Sequence, residues 1–295
     1  MIVRPCPPAE FLHRAGPWLQ TRESEHNLVL GIAGSLAATG GPPAQVGSPP
    51  GGPPFLATIE DGTGEVVAAA VRVPPHHLVV TRAPANALLA LAEHLAPVAP
   101  EVTGVNGPVE AAEGFAAAWA ARTGIAARVV MRLGVYESTR AIQPGVAGRF
   151  RLADAAHLEL CVRWRRAFLA EAVPHHPEHG EDRSDETVRR LMAGNQIFLW
   201  VDAGEPKSMA VWQRPTPHGV CISAVYTPPE HRRRGHASAC VAALTQCLLD
   251  QGRRSVCLFT DLANPTSNSI YVKVGFTSVC EFADHEFQHP APGGG

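Results

Sequence analysis

The chain is sparing with charge and with aromatic rings. Only 18% of its 295 residues are charged, the formal net charge is -2, and aromatics make up 6%, with three tyrosines. A balance this close to neutral leaves no electrostatic footprint for nucleic acid or an anionic membrane, so neither is expected as a partner. Long apolar runs are missing too. Arg, Glu or Gly interrupts every candidate, so no segment is expected to span a bilayer. Met1 to Glu10 holds no apolar signal core and is broken at once by Pro5, Pro7 and Pro8, which makes the cytoplasm the expected location. The seven cysteines are odd in number and include no Cys-x-x-Cys pair, so buried reduced thiols are expected instead of disulfides. His76-His77 and His175-His176 with His179 lie beside prolines without Cys or carboxylate partners at ligand spacing, and no metal is expected.

What is present is a 45% hydrophobic content, the profile of a core-forming protein, on a chain long enough for two domains. The 27 prolines and 27 glycines gather in breaks. Gly40 to Pro54 can be neither helix nor inner strand, Ile142 to Gly148 falls at a natural domain boundary, and His175 to Ser184 is a polar loop. Two domains are expected, 1–143 and 144–295. Within the first, the apolar spacing predicts one or two helices over Ala9 to Ala38, with Leu28, Ile32 and Leu36 on one face. Three strands follow (55–60, 66–73 and 77–81), then a helix from Pro84 to Leu95, a strand near 102–105, a helix over 109–122 and a strand over 127–136. The second domain repeats the layout: a strand at 148–154, a helix over 155–172, and a short helix over 185–193 with Ser184 as N-cap. Strands at 196–201, 208–214 and 220–226 lead to a helix over 235–250, a strand over 255–260, a helix over 265–274 and terminal strands near 276–287. No sequence identity between the halves is evident. The expected fold class is α/β (α+β), each half a mixed, mostly antiparallel central sheet flanked by helices.

The chemistry concentrates after the third strand of the second half. Tyr226 ends an apolar strand, Pro228-Pro229 turns the chain, and Arg232-Arg233-Arg234-Gly235 opens a long amphipathic helix. Ala237, Cys240, Val241, Leu244 and Leu248 are its expected buried stripe. Positive side chains are unfavourable at a helix N-terminus unless an anion is held there, and the unpaired N–H groups of that terminus bind anions. Gly235 allows close backbone approach, and Ala237 keeps the next turn unobstructed. A second block, Asn264-Pro-Thr-Ser-Asn-Ser-Ile-Tyr-Val-Lys-Val-Gly-Phe, sets Ser267 and Tyr271 on one helical face behind Asn264, which can cap that helix or offer its amide to a ligand.

Arg232 to Ala237, preceded by Pro229-Glu230-His231, resembles the Gln/Arg-x-x-Gly-x-Gly/Ala loop of the GNAT superfamily of N-acetyltransferases, and the Asn264 block resembles that family's later motif. The resemblance covers about Gly148 to Phe287. It implies a mechanism in which Arg232, Arg233, Arg234, Gly235, His236, Ala237 and Ser238 cradle the pyrophosphate of acetyl-CoA. Val225, Tyr226 and Thr227 would line the strand end that supplies an oxyanion donor. Asn264 and Ser267 would meet the pantetheine arm, and Tyr271 would protonate the departing thiolate. The implied activity is acetyl transfer from acetyl-CoA, as co-substrate, to a primary amine by direct attack. Alternatives are a CoA-binding sensor or interaction protein without turnover, another acyl donor, or a thiol-precursor acceptor. The base is left open among Glu171, His175, His176 and Asp261, and Glu178, Glu181 and Asp182 are candidates to attract a cationic amine. The first half follows the same order but has Arg82-Ala-Pro-Ala-Asn after its third strand, with no glycine loop, and no Asn or Tyr block at Val109 to Ala116. It is expected to be a degenerate GNAT-like domain without a CoA site, the alternative being an unrelated α/β domain. Oligomeric state is not legible.

Overall fold

The computed structural model describes residues 1–40, 52–172 and 184–289. Most of the breaks expected at Gly40 to Pro54 and His175 to Ser184 lie outside those residues, as do His175, His176, Glu178, His179, Glu181 and Asp182. The chain divides into unit 1, Met1–Gly134 with Cys280–Gly295, and unit 2, Val135–Val279. This differs from a single cut between residues 143 and 144, because the last strand returns to the first unit.

In unit 1 the sheet order is β1 (Ile2–Pro5), β2 (Phe55–Glu60), β3 (Val66–Arg72), β4 (Leu78–Val80), β5 (Gly104–Pro108) and then β12 (Thr277–Phe287). All pairs are antiparallel except β4 with β5. Four helices cover this sheet: α1 (Pro8–Gln20), α2 (Asn27–Thr39), α3 (Ala85–Leu95) and α4 (Val109–Thr123). The α3 stripe is the expected one, with Leu88, Leu91, Ala92 and Leu95 all buried. Pro84 sits at the N-cap of α3, one place earlier than expected. In α2 the inward face is Val29, Leu30, Ala33 and Leu36, while Leu28 and Ile32 are only partly buried. This helix is apolar on nearly every side, so spacing alone does not choose its inward face.

The terminal strand explains the unit boundary. One strand, not several, follows Phe276, and its register with β5 runs from Phe282↔Pro108 to Glu286↔Gly104. Phe287 stacks on Trp119 of α4 with ring centroids 5.5 Å apart, and both rings are buried. The boundary also falls within β6 (Ala127–Ser138).

In unit 2 the order is β11 (Ser255–Asp261), β10 (Gly219–Tyr226), β9 (Glu205–Gln213), β8 (Ile197–Asp202) and β7 (Arg149–Leu152), with the end of β6 beside β11. Only β10 with β11 is parallel among the registers from β7 to β11. One core joins α7 (His236–Asp250) and α8 (Pro265–Lys273) to this sheet through Val220, Ile222, Leu244, Leu258 and Tyr271. Another joins α5 (Leu158–Ala172) and α6 (Ser184–Ala193) through Cys161, Trp164, Val188, Leu199 and Tyr226. Helix α6 begins at Ser184 itself instead of using it as a cap. A short 3-10 turn, Ala155–His157, precedes α5 and is capped by Asp154. Among the described residues no helix is long and apolar enough to cross a membrane.

Candidate active site

The site begins where β10 stops behaving as a regular strand. Its parallel register with β11 ends at Ile222↔Leu258, although β10 continues to Tyr226. On the other side the register with β9 shifts between Ser223↔Val211 and Tyr226↔Met209. Three steps along β10 thus match two along β9, which is a bulge. Ala224 carries the distortion at φ 44°, a conformation costly for any residue with a Cβ. The two irregularities together part β10 from β11 and free the backbone of Ala224 and Val225 from the ladder. Tyr226 is buried, and Val225 and Thr227 are partly buried. Two hydrogen bonds fix this strand end: Ser208 Oγ donates to the Tyr226 carbonyl at 3.1 Å, and Thr227 Oγ1 donates to Ser208 Oγ at 2.9 Å. Ser208 was invisible in the sequence because it acts across strands, with no local spacing to mark it.

The loop after β10 leads to a helix terminus that nothing caps. Gly235 is the N-cap of α7 at φ 81°, with no side-chain cap hydrogen bond. A side chain there would be strained by that φ and would meet Val146 Cγ2 at 2.8 Å, so glycine is required twice over. The first hydrogen bond into the helix is from Ala239 N–H to the Gly235 carbonyl at 2.9 Å. The N–H groups of His236, Ala237 and Ser238 are therefore left without intrahelical acceptors. Arg233 also lies at positive φ, 59°. The buried stripe is His236, Ala239, Cys240, Val241, Leu244 and Leu248, with Ala237 only partly buried. Burial holds the His236 imidazole below its usual pKa, so the ring is neutral at pH 7, and its Nδ1 has no partner among the described residues.

The three arginines separate into two roles. Arg232 is engaged: its Nη2 donates to Glu171 Oε2 at 2.6 Å, its Nε donates to the Thr227 carbonyl at 2.9 Å, and its guanidinium lies 5.9 Å from the Tyr226 ring centroid. Arg233 and Arg234 are exposed, with no ion pair among the described residues. The positive charge left over at the α7 terminus therefore comes from these two. Glu171 also accepts from the Tyr226 hydroxyl at 3.4 Å. A carboxylate so engaged links α5 to the loop.

The second block folds as a capped helix. Asn264 Oδ1 accepts from the Ser267 backbone N–H at 3.1 Å, so this oxygen is the cap of α8 and only the amide Nδ2 is left over. Asn268 fastens the preceding turn by donating to the Asp261 carbonyl at 3.2 Å. Asp261 Oδ1 accepts from the Ala263 N–H at 2.8 Å, which places this base candidate in a turn. The Tyr271 ring is buried edge-on to Phe276 at 6.1 Å. Burial, and secondarily Cys221, pushes its phenol up to about 12, so it holds its proton throughout the neutral range. Gly275, at φ 104°, brings the chain against the Arg140 carbonyl, where an added Cβ would clash.

All seven cysteines are free. Cys221 and Cys257 are register partners on β10 and β11, and Arg214 Nη2 donates to Cys221 Sγ at 2.8 Å. Burial opposes a Cys221 thiolate, but the Cys257 hydrogen bond and Arg214 outweigh it and lower the pKa. Full burial denies that sulfur the access a nucleophile needs. His77, one of the paired histidines, has Nδ1 2.7 Å from Asp284 Oδ1. A cavity of ≈590 Å³ lined by Phe150, Trp200, Gln246 and Asp250 lies along the C-terminal half of α7, away from the uncapped end.

Known proteins resemble the chain in fold. Residues 199–283, which hold the bulge, the uncapped helix and the Asn264 block, match the FR47-like protein family. A GCN5-related N-acetyltransferase from Sphaerobacter thermophilus superposes with a TM-score of 0.62 at 17% identity, covering 98% of this chain and 96% of its own. The chain has the GNAT fold. A tandem GNAT protein from the clavulanic acid biosynthesis pathway superposes with a TM-score of 0.51 at 14% identity over 98% of this chain and 99% of its own, and so fits two GNAT-like domains. A Drosophila protein does so with a TM-score of 0.67 at 12% identity, covering 97% of this chain and 98% of its own. No curated protein matches the sequence.

Proposed function

We propose that unit 2 is an acyltransferase, and more finely an N-acetyltransferase that moves acetyl from acetyl-CoA to a primary amine by direct attack. The observation that carries this reading is one juxtaposition. A strand that parts from its neighbour after Ile222 leads into an uncapped helix terminus bearing two unpaired arginines. A pyrophosphate held there meets the N–H groups of His236, Ala237 and Ser238, with Arg233 and Arg234 beside it. The dipole alone contributes about 0.3–1 kcal/mol, and the direct N–H bonds add to that. The parted strands supply a slot for an extended arm, with Asn264 Nδ2 and Ser267 as polar contacts.

In this reading a backbone N–H at the distorted end of β10, at Val225 or Tyr226, donates to the thioester oxygen as negative charge develops. Tyr271, protonated at neutral pH, gives its proton to the departing sulfur. The attacking amine must be neutral, so its proton has to leave before or during attack. Glu171 and Asp261 are both committed to structural hydrogen bonds, which favours loss of that proton through water. Unit 1, without a glycine loop after β4, binds no CoA. The chain would act in the cytoplasm, on a small-molecule or peptide amine.

Thiol release from acetyl-CoA across a panel of amines, amino acids and peptides tests the reading, with longer acyl-CoA donors and thiol-precursor acceptors run in parallel. Turnover with one amine class, and one CoA bound per chain, is the expected result. Tight CoA binding with no turnover on any acceptor would favour a sensor. Absence of any CoA-induced thermal shift would remove the CoA site altogether.

A further inference from the structure

Unit 1 has a cavity of its own. It measures ≈360 Å³, lies at the N-terminal end of α3, and is walled by Trp18, Arg22, His26, Arg82 and Pro84. His26 is 3% exposed. Its Nδ1 is 2.8 Å from the Leu19 carbonyl. A carbonyl oxygen can only accept, so Nδ1 carries the proton and the neutral ring has its lone pair on Nε2. That Nε2 has no hydrogen-bond partner among the described residues. The nearest carboxylate oxygen, Glu25 Oε1 at 3.9 Å, is an acceptor itself and out of range. Burial lowers the pKa of the ring, so protonation does not repair the mismatch. An unmet buried acceptor destabilises the fold, and a donor brought in by a ligand removes that cost.

The remaining walls favour an anion. Arg82 Nε donates to Glu25 Oε1 at 2.8 Å, so one arginine is balanced by a buried carboxylate. Arg22 is exposed and has no side-chain partner among the described residues, which leaves the cavity with one positive charge. Pro84 offers α3 no side-chain cap, so the first N–H groups of that helix add a positive dipole end. The Trp18 ring stacks on His26 with centroids 5.1 Å apart and planes 19° apart, closing one side with an apolar face. The volume is near the lower end of small-ligand pockets, about 300–1,000 Å³, which excludes a molecule the size of CoA.

We propose that this cavity binds a small carboxylate bearing a hydrogen-bond donor, an α-amino or α-hydroxy acid. Its carboxylate sits on Arg22 and the α3 terminus, and its ammonium or hydroxyl donates to His26 Nε2. The proposal is independent of the chemistry assigned to unit 2.

Calorimetric titration of the full chain with L-lactate, L-alanine and propionate tests it, since propionate has the carboxylate and no donor. The imidazole ¹⁵N signals of His26 are followed in the same titrations. One site per chain is expected for lactate and alanine, with a shift at Nε2, and propionate weaker by about tenfold, equivalent to 1.4 kcal/mol. Arg22→Ala, a change at an exposed turn position, is expected to weaken lactate and alanine by a similar factor and to leave thiol release from acetyl-CoA unchanged. Failure of both lactate and alanine to bind would overturn the proposal. So would equal binding of propionate, an unmoved His26 signal, or full binding by Arg22→Ala.

Discussion

The two units run through the same succession of strands and helices and differ most at one junction. In unit 1, β4 ends at Val80 and the chain enters α3 through Thr81, Arg82, Ala83 and Pro84, with Pro84 at φ -66°. In unit 2, β10 bulges at Ala224, passes Pro228 and the three arginines, and enters α7 through Gly235 at φ 81°. The first junction is a short route of four residues from strand to helix. The second takes a detour that costs strain at Ala224 and Arg233 and leaves unpaired positive charge. Strain of about 1–3 kcal/mol per such residue persists only where the surrounding structure over-determines it. On the proposed reading, the scaffold by itself does not confer a CoA site; the strand-to-helix loop does.

Four experiments would break or sharpen that comparison. The largest effect is expected from Tyr271→Phe, which removes the proposed acid and should lower kcat by about 10²–10⁴-fold with little change in the KM for acetyl-CoA. An unchanged kcat would leave Tyr271 as a core aromatic, like the rings of unit 1. The same phenol bears on stability. Its pKa is raised to about 12, mainly by burial, so its contribution is full below the ordinary tyrosine range, near about 10, and is lost as the pH rises through about 12. Thermal unfolding of wild type and Tyr271→Phe across that range should show the mutant losing less stability.

Gly235→Val would force a β-branched residue into the left-handed region against Val146. Loss of CoA affinity by about a hundredfold, or 2.7 kcal/mol, is expected from calorimetry, because the N–H groups of the loop would be displaced. Undiminished binding would show that the detour is not the site. Phe287→Ala opens a void beside Trp119 and should destabilise the chain by about 3 kcal/mol. Hydrogen exchange should place that loss in the α4 and β5 region of unit 1 while acyl transfer by folded protein persists. Loss of protection confined to unit 2 would refute the assignment of the last strand. The smallest effect is expected from Glu171→Gln. The Glu171–Arg232 pair is about half exposed on both sides, so its loss should cost less than about 1 kcal/mol in denaturant unfolding. The pH–rate profile should be unmoved, and disappearance of its acidic limb would restore Glu171 as the base.

Much of the candidate site was legible in the sequence because it is built from contiguous stretches. Gly235, the arginines and Tyr226 lie within one strand–loop–helix passage, and Asn264, Ser267, Tyr271 and Gly275 within one capped helix. Local spacing carries such information. The roles inside those stretches were less legible. Arg232 reads like its two neighbours, yet only it meets Glu171, which lies 61 residues away in sequence. Asn264 could cap or contact a ligand, and only the packed turn assigns its oxygen to Ser267.

By itself the sequence determined where helices and strands form, since apolar periodicity, proline and glycine act over a few residues. It also settled which half carries the loop and the tyrosine. Tertiary structure alone decided the rest. Phe282 to Glu286 pairs with β5, a strand far back in the chain, and Phe287 stacks on Trp119; no local pattern records that partner. The bulge at Ala224 is set by registers on both sides of β10. The cavity at Trp18 and His26 exists only once α1, α2 and the entrance to α3 are assembled. In each case the deciding energy comes from a contact between residues distant in sequence, which forms only when the chain has folded.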